Sequence, residues 1–80
     1  MKELETLDSI AEETLKLWGS GIREERLERE WTVSHLAGLV GVNRSNVVRW
    51  EAGATEPSIE HRIILSRELE IAPEDLFIYP

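Results

Sequence analysis

Apolar residues recur at helical spacing through the first part of the chain, and acidic residues fill most of the positions between them. Steps of three and four residues place these apolar side chains on one face of a helix. The face consists of Leu4, Leu7, Ala11, Thr14, Leu15 and Trp18. The pattern predicts an acidic amphipathic helix at the N-terminus.

The tripeptide GSG at residues 19–21 predicts that this helix ends, since two glycines and a serine favour a turn over a helix interior. We therefore expect two regions along the chain. Residues 1–20 hold the N-terminal helix and its break, and residues 21–80 hold the remaining domain.

Three further helices are predicted in the first half of that domain. Residues 22–30 form a charged helix, and two short helices follow over residues 33–40 and about 44–52. Thr32 and Asn43 precede the two short helices as N-caps, because their side chains can accept hydrogen bonds from amides of the first turn.

The C-terminal third is predicted to contain one longer helix and a short final one. Pro57 excludes helix just before it, and Pro73 suits a first helical position. Ile64 falls on the side of the longer helix that should face water. The predicted inward face consists of Ile59, Ile63, Ser66 and Leu69. No segment alternates like a strand, so the fold class is all-α.

The charge is distributed unevenly along the chain. The net charge of -7 opposes non-specific binding to nucleic acid or anionic membranes, because such binding neutralises phosphates with Lys and Arg. Residues 1–20 carry two basic and five acidic side chains, and residues 54–80 carry two and six. Residues 32–53 are the exception, with two arginines against one glutamate.

Length and composition fit one small domain with a modest core, at 80 residues, 41% hydrophobic and 31% charged. The absence of cysteine excludes disulfides and thiolate metal sites. The start lacks the pattern of a signal peptide, and no apolar run reaches the roughly 20 residues of a membrane span. A soluble protein of the cytoplasm is expected.

Residues 33–53 carry the spacing of two short helices that cross closely around a tight turn. Ala37 is small where the backbone of the second helix approaches, and Gly41 can adopt the positive φ that the turn needs. Large apolar residues at the remaining offsets fill the shared core. They are Leu36, Val40, Val42, Val47 and Trp50.

Most of the two short helices lies in the stretch HLAGLVGVNRSNVVRWEAG, which is flanked by RLEREWT, EPSIE and LEIAPEDLF. With these stretches the chain resembles the lambda-repressor-like, or Xre-type, helix-turn-helix family over about residues 22–77. The resemblance implies a five-helix bundle, here with an extra N-terminal helix. It also implies a transcription regulator that binds operator DNA as a homodimer, with the helix of residues 44–52 in the major groove.

The resemblance further implies which residues contact DNA. Arg44, Ser45 and Arg49 take the family's base-facing positions, where arginine suits guanine and asparagine suits adenine. Thr32, Ser34 and Asn43 lie near phosphates. The alternative is that these polar residues are only the solvated face of an amphipathic helix. The predicted DNA-binding set comprises Thr32, Ser34, Asn43, Arg44, Ser45, Asn46 and Arg49.

Two other pairs of positions follow from the same resemblance. Arg26 and Glu51 match a pair that the family uses as an internal salt bridge. Val33 and Val48 stand where polar contact residues are common in the family, so hydrogen bonds to DNA are expected to be lost there.

No pattern in the sequence indicates an enzyme, a metal or another cofactor. His35 and His61 are 26 residues apart, without the paired spacing of a helical metal site. The carboxylates have no identifiable catalytic partner, and Ser45 has no evident base.

Candidate surfaces for self-association lie at both ends of the chain. Trp31 and Trp50 fall at core positions of the family, which leaves Trp18 for an interface. The N-terminal helix either supports a homodimer or packs only on its own bundle. A second candidate seam consists of Ile64, Ile78 and Tyr79.

Two functions are therefore open. The first is a sequence-specific DNA-binding regulator. The alternative is a protein-interaction module on the same fold, such as an antitoxin-like or adaptor domain, whose acidic N-terminal helix and C-terminal third contact a basic partner. A recognition helix with a neutral or positive surface supports the DNA-binding regulator. Acidic side chains across that surface support the protein-interaction module.

Overall fold

Residues 10–80, which the computed structural model describes, form five α-helices and no strand. Leu4 and Leu7 of the predicted N-terminal helix lie outside these residues. The predicted all-α class is confirmed. The helices are α1 (Glu12–Glu28), α2 (Val33–Val40), α3 (Arg44–Glu51), α4 (Ile59–Leu69) and α5 (Pro73–Leu76).

The predicted helix break at residues 19–21 is wrong, because α1 continues through all three residues. Gly19 is buried in the interior of α1, where its backbone lies against the end of α3. A Cβ atom there would lie 2.6 Å from the carbonyl oxygen of Glu51. The glycine thus permits a close helix crossing, and the boundary expected between residues 20 and 21 falls inside α1.

Trp18 belongs to the core, so its predicted role at an interface is wrong. Its side chain is 1% exposed. The indole Nε1 donates a hydrogen bond of 2.8 Å to the carbonyl oxygen of Ile78. The rings of Phe77 and Tyr79 pack edge-on against it, with centroids 5.2 and 5.3 Å away, and the guanidinium of Arg62 lies 4.7 Å from its ring centroid. Thr14 and Trp18 of the N-terminal stripe are thus buried in their own bundle and Leu15 packs against its core, whereas Ala11 is exposed.

The core joins all five helices around side chains that are almost fully excluded from solvent. Trp50 is buried, as its core position implied, and Trp31 is half-buried against the same cluster. The buried apolar residues are Trp18, Ile22, Leu36, Ala37, Val40, Val47, Trp50, Leu65, Leu69, Leu76 and Phe77.

The predicted inward face of α4 is partly wrong. Ser66 and Leu69 are buried, but Ile59 and Ile63 are 69% and 52% exposed. Ile64, predicted to face water, is half-buried against the core. The apolar run at residues 63–65 covers adjacent faces of one helix, so periodicity alone does not select the face that meets the bundle.

Four helices are followed within two residues by a residue in the left-handed conformation. Gly41 and Gly53 occupy two of these positions, with φ of 83° and 72°, and Glu30 and Glu70 occupy the others, each with φ of 57°. After Glu70, the amide of the next residue donates to the Ser66 carbonyl at 3.0 Å, which closes the last turn of α4.

Candidate nucleic-acid interface

The α2–turn–α3 unit is built from local signals in the sequence. The Thr32 hydroxyl accepts a hydrogen bond of 3.0 Å from the His35 amide and caps α2. Gly41 then ends α2 in the left-handed conformation. Asn43 precedes α3, although its side chain makes no capping hydrogen bond. The predicted boundaries of both helices are confirmed, except that α3 ends one residue earlier, at Glu51.

Packing of α2 against α3 determines which side of α3 faces outward. Val47 and Trp50 are buried, and at about 100° per residue they lie on adjacent sides of the helix. The opposite side is open to solvent. It consists of Arg44, Ser45, Val48, Arg49 and Ala52.

Two residues of the predicted DNA-binding set contact each other at the edge of this surface, where Asn46 is half-buried. Nη2 of Arg49 donates a hydrogen bond of 2.7 Å to Oδ1 of Asn46. The contact restricts the Arg49 guanidinium, and it leaves the Asn46 amide nitrogen able to donate elsewhere. Arg44 lies about 140° around the helix axis from Arg49, so the two arginines flank the outer surface of α3.

The remaining predicted contact residues lie near the N-terminal ends of the motif helices. Thr32 and Ser34 flank the first residue of α2, Asn43 precedes α3, and Ser45 lies in its first turn. All four are exposed. A helix N-terminus presents unpaired amides and the positive end of the helix dipole, which suits phosphate.

Arg26 and Glu51, which the resemblance pairs, are brought together inside the bundle. Nε of Arg26 lies 2.7 Å from Oε2 of Glu51, and Nη2 lies 2.9 Å from Oε1. Nη1 donates to the Trp31 carbonyl oxygen at 2.8 Å. The two charged side chains are 9% and 8% exposed. The hydrogen bond with Glu51 raises the pKa of Arg26 above its ordinary value.

A family model described as helix-turn-helix matches residues 22–76. The chain belongs to the lambda-repressor-like, or Xre-type, helix-turn-helix family. This confirms the resemblance over almost the same residues. As a member of this family, the chain is a DNA-binding regulator.

Solved structures include close matches to the fold of this Xre-type regulator. The restriction-modification controller protein C.AhdI from Aeromonas hydrophila is 33% identical, with a TM-score of 0.74 over 79% of this chain and 96% of that one. The clp gene regulator ClgR from Corynebacterium glutamicum has a TM-score of 0.75 over 81% of this chain and 69% of that one. At 23% identity, ClgR shows the fold alone. No curated protein sequence matches.

The charges around α3 of this regulator are arranged asymmetrically. Glu51 is the only acidic residue of the helix, and its carboxylate is bonded inside the bundle. The exposed charges of α3 are therefore the two arginines. In the loop that follows, Glu56 lies 3.3 Å from Nη2 of Arg62, so its carboxylate is also paired.

Sequence reasoning missed a shallow hollow beside α3. Its volume is about 310 Å³. Arg23 of α1 lies at this hollow. The sequence did not single out this arginine, because it belongs to the run REERLERE, where acidic and basic residues are mixed. The hollow is lined by Arg23, Val33, Val48, Glu51 and Ala52.

The histidines of the regulator pack on aromatic rings. The imidazole of His35 lies 5.0 Å from the ring of Trp31, and that of His61 lies 5.2 Å from the ring of Trp50. Among residues 10–80, no group of three or more His, Cys, Asp or Glu side chains has the arrangement of a metal site. None of the helices in that range is long and apolar enough to cross a membrane.

Proposed function

We propose that this regulator recognises a specific operator by placing α3 in the major groove of DNA. One observation carries the proposal: α3 presents Arg44 and Arg49 to solvent while its single acidic residue is bonded to Arg26 inside the bundle. Regulation then follows from occupation of the operator, with no catalytic step.

The proposed contacts fall into two groups. Arg44 and Arg49 read base edges, since the bidentate pairing of arginine with guanine O6 and N7 is the commonest specific contact. Asn46 orients Arg49 through its side-chain oxygen. Ser45 also faces the bases, and three further residues position the protein on the DNA backbone. They are Thr32, Ser34 and Asn43.

The acidic balance of the chain is compatible with this function. Affinity depends on the charges that reach the phosphates, and screening weakens interactions beyond a Debye length of about 8 Å at physiological salt. The acidic remainder of the protein opposes non-specific binding, whereas short-range contacts from α3 persist.

We further propose that the regulator binds as a homodimer, because paired half-sites require a two-fold axis. The supporting observation is an apolar groove of about 580 Å³ formed by α4, α5 and the C-terminal residues. The groove suits a second copy of the chain. Its apolar lining includes Ile59, Ile63, Pro73, Phe77, Ile78 and Tyr79.

Selection of bound sequences from a random DNA pool at low salt tests the function. We expect a defined operator to emerge. Arg44→Ala and Arg49→Ala should each weaken binding to it by about 1–3 kcal/mol and relax preference at one or two base pairs. Arg67→Ala is the matched control, because Arg67 is an exposed arginine on α4.

Two results would contradict the proposal in different ways. An equal loss of affinity on every sequence would make the two arginines phosphate contacts instead of base readers. A pool in which no sequence is enriched would overturn operator recognition. Binding of a basic protein by the acidic surface of α1 would then favour the protein-interaction module.

A further inference from the structure

The hollow beside α3 has an unusual chemical character for a surface that meets DNA. Val33 contributes one apolar wall from the first turn of α2, and Val48 contributes the other from α3, where it is 46% exposed. Neither side chain can donate or accept a hydrogen bond. A base edge that meets this hollow is therefore recognised by shape and apolar contact.

The polar groups around the hollow leave this character unchanged. Both carboxylate oxygens of Glu51 accept hydrogen bonds from Arg26, so the acid presents no unpaired oxygen to a ligand. Arg23 is exposed and supplies a positive charge at the edge. An apolar recess beside a positive charge complements a methyl group on DNA, whose phosphate backbone is negatively charged.

The major groove offers one apolar group, the C5-methyl of a pyrimidine. Val48 follows Arg44 by four residues, so the two side chains lie on the same side of α3, with Cβ atoms about 5–6 Å apart. Base pairs stack about 3.4 Å apart along each strand. A methyl at Val48 would therefore lie one or two base steps from the base that Arg44 contacts.

We infer that Val48 determines specificity by packing against the C5-methyl of a pyrimidine in the operator, with Val33 closing the other side. This inference rests on the proposed placement of α3 in the major groove. The ligand chemistry is shared by thymine and 5-methylcytosine, and the two sources are separated by experiment.

The test uses the selected operator with single base-analogue substitutions. Replacing thymine by uracil removes only the methyl group, so hydrogen bonding is retained. We expect one position per half-site at which this change weakens binding about fourfold, the effect of losing one buried methyl-sized group. At the same position, 5-methylcytosine should be preferred over cytosine by a similar factor.

Substitution of Val48 assigns the methyl effect to a residue. Val48→Ala should weaken binding to the thymine operator and abolish the difference between thymine and uracil, because the two changes remove the same contact. The variant should fold, since Val48 is half-exposed and alanine has the higher helix propensity. Leu27→Ala, which changes a residue of α1 that is 48% exposed and lines neither the hollow nor the apolar groove, should retain the full methyl preference.

Each outcome decides the inference. A preference for 5-methylcytosine over cytosine without one for thymine over uracil identifies the modified base as the ligand. An operator that is selected but insensitive to both methyl groups overturns the role of Val48 while the proposed function stands. A preference for thymine over uracil that persists in Val48→Ala also overturns this role. A pool without any enriched sequence overturns the proposed function and this inference together.

Discussion

At the scale of single residues, the pair of Arg26 and Glu51 has two consequences. The guanidinium joins α1 to the end of α3 through Glu51 and to the α1–α2 connection through the Trp31 carbonyl. The same bonds keep a carboxylate off the surface that we propose to meet DNA. A structural contact therefore also determines the charge of the recognition helix.

Glu51→Ala should destabilise the fold by about 3 kcal/mol, because it leaves the Arg26 charge buried with only the Trp31 carbonyl as a partner. Denaturant unfolding measures the change. Glu12→Ala is the control, since the Glu12–Lys16 pair is separated by 3.6 Å and its side chains are 80% and 63% exposed. This control should change stability by less than about 1 kcal/mol.

A double substitution distinguishes a stranded charge from lost packing. Arg26→Met combined with Glu51→Leu removes both charges and keeps apolar volume, so it should recover much of the stability that Glu51→Ala loses. If the double variant is no more stable than Glu51→Ala, the stranded charge is not the cause of the loss.

At the scale of helices, the crossing of α1 and α3 depends on glycine at two close contacts. Gly19 lies against the backbone at the end of α3. In the turn after α3, a Cβ at Gly53 would lie 2.9 Å from Cα of Lys16 in α1. Backbone atoms are among the close neighbours of both glycines, and they cannot move away by a change of rotamer. The two helices approach more closely than larger residues would permit.

Gly19→Ala and Gly21→Ala, two substitutions in the same helix, should change stability in opposite directions. Gly19→Ala should destabilise by about 1–3 kcal/mol or more, since its Cβ would overlap carbonyl oxygens of α3. A Cβ at Gly21 would lie 3.8 Å from Leu76 Cδ1, an ordinary contact. Gly21→Ala should therefore stabilise by about 0.5–1 kcal/mol. Thermal unfolding measures both, and a stabilising Gly19→Ala would refute the close crossing.

At the scale of the whole molecule, the apolar groove and the proposed base-reading arginines lie on different helices. Ile59 and Ile63 of α4 form part of the apolar groove with residues after α5, whereas the base-reading arginines lie on α3. This separation leaves the recognition helix accessible when the groove is covered by a second copy. Dimer formation and DNA binding can therefore be disrupted independently.

Ile63→Asp should convert a dimer to a monomer, because it introduces a charge into the apolar groove, where Ile63 is 52% exposed. Sedimentation over a range of protein concentrations measures the mass. Leu27→Asp is the control, since Leu27 is 48% exposed and does not line the groove. Truncation of residues 1–9 tests whether the N-terminal segment contributes. A wild-type monomer at high concentration would contradict the homodimer, and a dimer retained in Ile63→Asp would exclude the groove as its seam.

The sequence by itself determined the α2–turn–α3 unit, because the signals that define it act within a few residues. The Thr32 cap, the left-handed Gly41 and the spacing of Ala37 and Val47 each follow from backbone sterics or helix periodicity. These features predicted the boundaries of both helices, whereas the family followed from the resemblance of the longer stretch and its flanking segments. They also indicated which residues of the second helix are turned away from the core.

Only the tertiary structure decided which local preferences are overruled. The cost of glycine inside a helix is about 1 kcal/mol, so packing of Gly19 against α3 outweighs the tendency of GSG to form a turn. Trp18 and the two faces of α4 could not be assigned from periodicity, because an apolar side chain is buried only where another element covers it. The hollow at Val48 likewise exists only after three helices meet. Propensities act over neighbouring residues, whereas burial depends on residues that are distant in the chain.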